Sequence, residues 1–372
     1  MVLGAHRSGT SALAGVIQRL GVELGDNLLG PQAGVNERGF GEHSELVALH
    51  DRLLGQLGSS WDSIHPLAEK WWQSSEIESI SQEITSIVEK DFGNTKLWGL
   101  KDPRLCRLLP LWLDILEQRA CEPSFVIIYR NPLEVTASLS RRDRMETQQA
   151  LNIWLQHILD AELYSRGYPR AIISYRQLLD DWRGTMRSVG ELLSLQWPAN
   201  IDQAEREIVD FLDDSLRHHQ LNKEALSGVP SWIRETYACL EQAYRNGDED
   251  LQPQFDRLGR EYRDAVSLFS PLLLCGERKF VEVDSGLKQA VEILEKKEAA
   301  LVETNAILES EKQRLLDVEA GFKQAIEMLN EKDAELAKMN ALLTDRVRSL
   351  ARALNEWVEP PPQKEKAENQ SA

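Results

Sequence analysis

The sequence predicts an α/β fold, a P-loop-like parallel β-sheet flanked by helices, followed by a long C-terminal coiled coil. Two observations support this prediction. Short β-branched runs alternate with amphipathic stretches over residues 1–275, and a heptad repeat replaces that pattern beyond residue 282. The first pattern is typical of buried parallel strands that are each followed by a helix. With 372 residues, 42% of them hydrophobic, the chain can bury a substantial core.

Four segments have the composition of buried strands, and a helix beginning near Pro, Ser or Thr follows each. They are MVLG at Met1, KLWGLK at Lys96, SFVIIYR at Ser124 and RAIISY at Arg170. MVLG is short, so it is either a three-residue strand or the end of a strand that begins before Met1. Residues 21–42 are rich in glycine and too irregular for a long helix, which is typical of a binding loop.

Heptad spacing dominates the C-terminal part of the chain. Leucine recurs every seven residues from Leu287 to Leu350, with Phe322 at one of the ten positions. This spacing predicts a coiled coil over residues 285–355, roughly 105 Å long at about 1.5 Å per residue. The alternative is a single solvated helix.

An internal duplication supports the coiled coil. The segment that begins at Gly286 returns at Gly321, a shift of 35 residues, which is five whole heptads. Asn305 and Asn340 therefore occupy equivalent core positions, where a buried asparagine favours a parallel pair in fixed register. We expect a homo-oligomer through this helix.

These patterns divide the chain into four segments. The tail is rich in Pro, Glu and Lys, so we expect it to be disordered. The segments are an α/β domain (1–275), a linker (276–284), the coiled coil (285–355) and the tail (356–372).

The composition also limits the partners and the location. A net charge of −17 argues against duplex nucleic acid as the main partner, because that contact needs a broad basic face. The four cysteines lack close or metal-ligand spacing, which suits reduced thiols. No apolar run is long enough to span a bilayer, and we expect a cytoplasmic protein.

The segment GAHRSGTS, at residues 4–11, has the spacing of a phosphate-binding loop. Thr10, however, stands where such loops carry their lysine. Two glycines allow a tight turn, and the helix that follows directs its unpaired amides and positive dipole end at the loop, so an anion is expected there. The cation lies inside the loop instead, at Arg7, with His6 beside it. A guanidinium can contact two oxygens of a phosphate or sulfate at once.

A second basic element follows a buried strand. FVIIY ends at Arg130, turns at Asn131 and Pro132, and begins a helix that carries Ser138. An arginine directly after a buried strand needs a partner or open solvent. At the carboxyl end of a strand, Arg130 and Ser138 can bind a second phosphate group.

HRSGTS together with YRNPLEVTASL resembles the sulfotransferases that use 3′-phosphoadenosine 5′-phosphosulfate, in particular their bacterial branch. The resemblance covers roughly residues 1–180. It implies that Arg130 and Ser138 bind the 3′-phosphate of this donor. The Arg-Lys-Gly loop of the cytosolic branch is not found in the sequence. The residues implied on the 5′ side are Arg7, Ser8, Gly9, Thr10 and Ser11, with His6 beside them.

The catalytic residues follow from charge and from the same resemblance. Arg7 is the candidate cation for the leaving phosphate, and the transfer needs no metal. Lys101 resembles the strand-end lysine of cytosolic sulfotransferases, although Asp102 follows it in place of the residues that lead to their catalytic histidine. Asp102 and Glu42 are both candidates for the general base. Alternatively, Asp102 caps the next helix and Glu42 is a solvated loop residue.

Two other functions remain open. A P-loop kinase or nucleotide hydrolase needs the lysine that Thr10 replaces, and a non-catalytic coiled-coil scaffold with a relic α/β domain needs neither Arg7 nor Arg130. For the sulfotransferase, the expected acceptor is a hydroxyl of a carbohydrate, glycolipid or small metabolite. Aromatic faces suit sugar rings, although core packing is the more common role for most such tryptophans. The tryptophans concerned are Trp61, Trp71, Trp72 and Trp98.

Overall fold

Three parallel strands form the sheet of the computed structural model, which describes residues 1–32, 39–212, 226 and 228–358. The strands are β1 (Val2–Leu3), β2 (Phe125–Tyr129) and β3 (Arg170–Ser174), and β2 lies in the middle. Val2 pairs with Val126, and Phe125 pairs with Arg170. The predicted mixed α/β architecture with a parallel sheet is confirmed.

The prediction of a full strand at KLWGLK is wrong, because this segment forms only isolated bridges. Lys101 makes an isolated parallel bridge to Val2, and Trp98 makes another to Glu23. The Val2 amide also donates to the Leu100 carbonyl at 2.9 Å. Because β1 has only two residues, it offers too short an edge for a continuous ladder, and the segment runs beside it without forming a full strand.

Helices cover both faces of the sheet, which explains why all five residues of β2 are buried. Phe125 and Ile127 belong to one apolar cluster, whereas Val126 and Ile128 belong to another. The helices are α1 (Thr10–Arg19), α2 (Ser44–Gln56), α3 (Glu78–Phe92), α4 (Leu105–Gln118), α5 (Pro132–Asp143), α6 (Thr147–Tyr164), α7 (Tyr175–Asp180), α8 (Trp182–Leu192), α9 (Glu205–Phe211), α10 (Ser231–Asn246) and α11 (Gln252–Val358).

The chain divides into two units, residues 1–275 and 276–372. Helix α11 continues through the predicted linker at 276–284, which is therefore helical. The predicted disordered tail lies outside the described residues from position 359 onward. Among the helices that the structure describes, none combines the length and the apolar character that a membrane crossing requires.

Candidate anion-binding site

The loop between β1 and α1 requires glycine at two positions. Gly4 and Gly9 have φ angles of 152° and 95°, a region that other residues rarely adopt. A Cβ atom on Gly4 would lie 2.4 Å from the Ile128 carbonyl oxygen, and one on Gly9 would lie 2.0 Å from the Tyr175 ring. The backbone therefore turns here in direct contact with β2 and with the residue after β3.

Arg7 adopts a left-handed conformation inside this loop, with φ of 67°. Such a conformation costs a non-glycine residue about 1–3 kcal/mol and needs support from its surroundings. The Arg7 Nε donates to Ser138 Oγ at 2.8 Å, and Arg130 Nη1 donates to the Arg7 carbonyl at 3.4 Å. Burial, with nearby Arg142 and Arg130, lowers the pKa of the Arg7 guanidinium.

Arg130 lies directly after β2, and its guanidinium is held on two sides. Its Nε donates to Glu134 Oε2 at 2.8 Å, and its Cζ lies 4.8 Å from the centre of the Tyr175 ring. Asn131 accepts from the Leu133 amide at 2.9 Å and so caps α5, the helix that carries Ser138. The two basic elements, more than a hundred residues apart in sequence, are therefore neighbours.

The loop also contains buried polar atoms that need a partner. Ser8 Oγ and His6 Nε2 have no hydrogen-bond partner among the described residues. The His6 ring lies 4.6 Å from the Trp61 ring and 5.5 Å from the His157 ring, centre to centre. Burial lowers the pKa of His6 well below its usual value, so the imidazole is neutral. Unsatisfied buried groups are rare in folded proteins, and here they fit a loop that receives a polar ligand.

Lys101 and Glu42 form a buried ion pair beside the start of α1. The Lys101 ammonium donates to Ser11 Oγ at 3.0 Å, to the Phe40 carbonyl at 3.1 Å, and to a carboxylate oxygen of Glu42. Glu42 is only 7% exposed, so it is not a solvated loop residue. Burial raises the pKa of the Glu42 carboxyl against the opposing effect of Lys101.

Both carboxylate oxygens of Asp102 are hydrogen-bonded to neighbouring residues. Its Oδ1 accepts from the Arg104 amide at 2.9 Å and from Arg104 Nη1 at 3.0 Å, and its Oδ2 lies 2.8 Å from His50 Nδ1. Trp112 Nε1 donates to His50 Nε2 at 3.0 Å, which fixes the His50 proton on Nδ1. Burial alone would raise the pKa of Asp102, but Arg104 and His50 outweigh burial and hold it well below its usual range. These contacts hold the segment that leads into α4 and favour a positioning role for Asp102, although its side chain does not cap the helix itself.

Sequence reasoning missed two residues of this site. Tyr175 packs against both Gly9 and Arg130, and its signal was its position directly after β3, at the same sheet edge as Arg130. His157 lies in the middle of α6, and no local pattern distinguishes it from a core histidine.

No protein-family model matches the chain, and no curated protein matches it. Sulfotransferase structures are among the similar solved structures. They include a domain from the curacin biosynthetic pathway (15% identity, TM-score 0.38, covering 64% of this chain and 96% of that one) and a domain from the Synechococcus PCC 7002 olefin synthase (17%, 0.35, 65% and 92%). A mouse sulfotransferase complexed with PAP follows (13%, 0.31, 70% and 87%).

Proposed function

We propose that this protein is a sulfotransferase that transfers a sulfuryl group from 3′-phosphoadenosine 5′-phosphosulfate to an acceptor hydroxyl of a carbohydrate, glycolipid or small metabolite. The observation that carries the proposal is the meeting of Arg7 and Arg130 at one loop. Two neighbouring arginines, one of which donates to the backbone of the other, suit a donor with two separate anionic groups. Location in the cytoplasm remains a prediction.

The donor would bind along this pair of basic elements. Arg7, the loop amides and Ser11 would hold the 5′-phosphosulfate at the N-terminus of α1, where the helix dipole favours negative charge. Gly9, at the N-cap, has no side chain to occupy these amides. Arg130 and Ser138 would hold the 3′-phosphate, and the bond from Arg7 to Ser138 links the two ends.

In the proposed reaction, a bond forms between the acceptor oxygen and sulfur, and the bond from sulfur to the bridging oxygen of the phosphosulfate breaks. Arg7 would neutralise the charge that develops on the leaving phosphate. Glu42 is the better candidate for the base that takes the acceptor proton, because burial raises its pKa whereas Asp102 has a lowered one. Lys101 would orient Glu42 and Ser11 together.

A kinase or nucleotide hydrolase is less well supported. Thr10, at the position of the expected lysine, is 3% exposed and packs against the loop, so no lysine reaches the anion from there. A scaffold with a relic domain is also less well supported, since the contacts of Arg7 and Arg130 hold a strained loop in place.

The test compares two ligands by thermal unfolding of the full chain. We expect adenosine 3′,5′-bisphosphate to stabilise the protein by about 2.7 kcal/mol at a hundredfold excess over its Kd. Stabilisation by ATP with magnesium alone would contradict the proposal.

Arg130→Ala should weaken bisphosphate binding by roughly 10- to 100-fold, the loss typical of a charged hydrogen bond. Arg187→Ala on α8, which removes a surface arginine paired with Asp202, is the control.

We also propose that residues 285–355 pair with a second, parallel copy of the chain. The seam leucines are exposed in the single chain, with Leu294 at 65% and Leu308 at 63%. A row of leucines at heptad spacing on one face of a long helix is what a coiled-coil partner covers, although charged residues such as Glu298 and Lys312 occupy some of the complementary core positions. Asn305 and Asn340 recur at the same heptad position and would set the register.

A further inference from the structure

A cavity of about 460 Å³ lies between residues 66–72, helix α6 and residues 262–266 of α11. This volume is in the range of small-ligand sites. Four aromatic side chains contribute to its wall, namely Trp71, Trp72, Tyr164 and Tyr262. None of the residues assigned to the anion loop lines it. The cavity is therefore a separate feature that the loop chemistry does not explain.

Hydrogen-bond acceptors in this wall lack donors. The Asp160 carboxylate is half-buried, and no hydrogen bond or ion pair joins it to any residue within the described ranges. Gln156 Oε1 and Tyr262 OH are buried and have no partner there either. Gln156 and Asp160 are four residues apart on α6, so they lie on one face of the helix. A ligand that supplies several hydrogen-bond donors would satisfy this group.

The charges around Asp160 restrict the ligand further. Arg107 is fixed in the wall by donation to the Ser63 and His65 carbonyls at 3.1 and 2.7 Å, and Arg263 also lines the cavity. These guanidiniums disfavour a cationic ligand, and the Asp160 carboxylate disfavours an anionic one. A neutral ligand that is rich in hydroxyls and has an apolar face for the aromatic rings matches both conditions.

We infer that this cavity binds a neutral sugar ring, with Asp160 and Gln156 accepting hydrogen bonds from its hydroxyls and the aromatic wall packing against its carbon face. The cavity segment at 66–72 follows Trp61, whose ring contacts His6 of the loop. Under the proposed function, this sugar would be part of the acceptor. That assignment rests on the proposed function, whereas sugar binding itself rests on the cavity alone.

The test measures binding of methyl glucoside, methyl galactoside and methyl mannoside to the full chain by ligand-observed NMR, without any nucleotide. We expect at least one glycoside to bind. Asp160→Ala should weaken that glycoside at least tenfold, and Trp72→Ala should do the same, while thermal unfolding shows that both variants fold. Asp114→Asn is the control, because this aspartate of α4 lies outside the cavity wall and burial raises its pKa as well.

Three results would overturn the inference. They are no binding of any of the three glycosides, glycoside binding that both cavity variants leave unchanged, and binding of tetramethylammonium in place of the glycosides. The bisphosphate titration separates this inference from the proposed function. If a glycoside binds and the bisphosphate does not, the sulfotransferase proposal fails and the sugar site stands. If the bisphosphate binds and no glycoside does, the sugar site fails alone.

Discussion

The two units of the chain depart from the usual distribution of polar and apolar side chains in opposite ways, the first by burying charges inside its apolar core and the second by exposing apolar side chains. Within residues 1–275, charged groups such as Lys101, Asp102 and Arg107 are at most 4% exposed. Along the helix beyond residue 285, leucines are more than half exposed, with Leu287 at 62%. Buried polar groups and exposed large apolar rows are the two deviations that carry information in a soluble protein.

Each unit of the chain therefore lacks a different kind of partner. In the first unit, Lys101 and Asp102 pair with opposite charges. Several buried polar atoms without a hydrogen-bond partner among the described residues lie at the loop and in the cavity wall, namely Ser8 Oγ, His6 Nε2, Gln156 Oε1 and Tyr262 OH. Those atoms need small ligands. The exposed apolar row of the second unit repeats at heptad spacing over many turns, and only another long helix matches such a row.

The largest expected effect comes from charging the apolar row. Leu301→Lys with Leu308→Lys should convert the paired chain to a monomer, because each copy loses two seam leucines at about 2–5 kcal/mol each. Light scattering after size-exclusion chromatography measures the mass. Glu303→Lys with Ser310→Lys places two lysines on the outer face of the same turns and should leave the mass unchanged. A wild-type chain that is already monomeric would contradict the pairing.

A smaller effect is expected from breaking the buried charge network. Asp102→Ala leaves Arg104 and His50 without their shared partner, so the free energy of unfolding in urea should fall by about 3–5 kcal/mol. Asp51→Ala removes a partner of the same arginine, but its side chain is 49% exposed, and a loss of at most about 1 kcal/mol is expected. If Asp102→Ala instead keeps full stability and loses only activity, Asp102 is the base and Glu42 is not.

The features that depend on local sequence patterns could be predicted from the sequence alone. β-Branched runs predicted the strands at 125–129 and 170–174, and heptad spacing predicted the long helix. Arg7 and Arg130 could be placed together because the carboxyl ends of parallel strands meet at one sheet edge. The fourth strand could not be excluded, because its failure depends on how few residues β1 offers as a partner.

Local sequence patterns could not predict the contacts between segments that are distant in sequence. Ser138 was predicted to face a phosphate, and its hydroxyl accepts from Arg7, a detail that depends on how α5 packs. The carboxylate of Asp102 is hydrogen-bonded to His50 of α2, and Trp112 of α4 in turn sets the tautomer of His50. The proposed sugar cavity is assembled from four separate segments, so Trp71 and Trp72, which resembled general core residues, could not be assigned to it.

The smallest expected effect concerns the carboxylate of the sugar cavity. Burial raises the pKa of Asp160 to about 6, although Arg107 and Arg263 oppose the shift. Since the folded protein binds this proton more tightly than the unfolded chain does, the contribution of Asp160 to the unfolding free energy falls as the pH rises from about 4 to about 6. Asp160→Asn should therefore stabilise the protein by about 1–2 kcal/mol at pH 7, and by nothing below about pH 4.

Urea unfolding of both proteins at several pH values measures this difference, with Asp114→Asn as the matched control on α4. A variant that is less stable than the wild type at pH 7 would mean that the ionised carboxylate has a stabilising partner. In that case, the absence of a hydrogen bond to the Asp160 carboxylate would no longer indicate a ligand. A stabilised variant that also loses glycoside binding would mark Asp160 as a group retained for binding at a cost in stability, like the strained Arg7 of the anion loop.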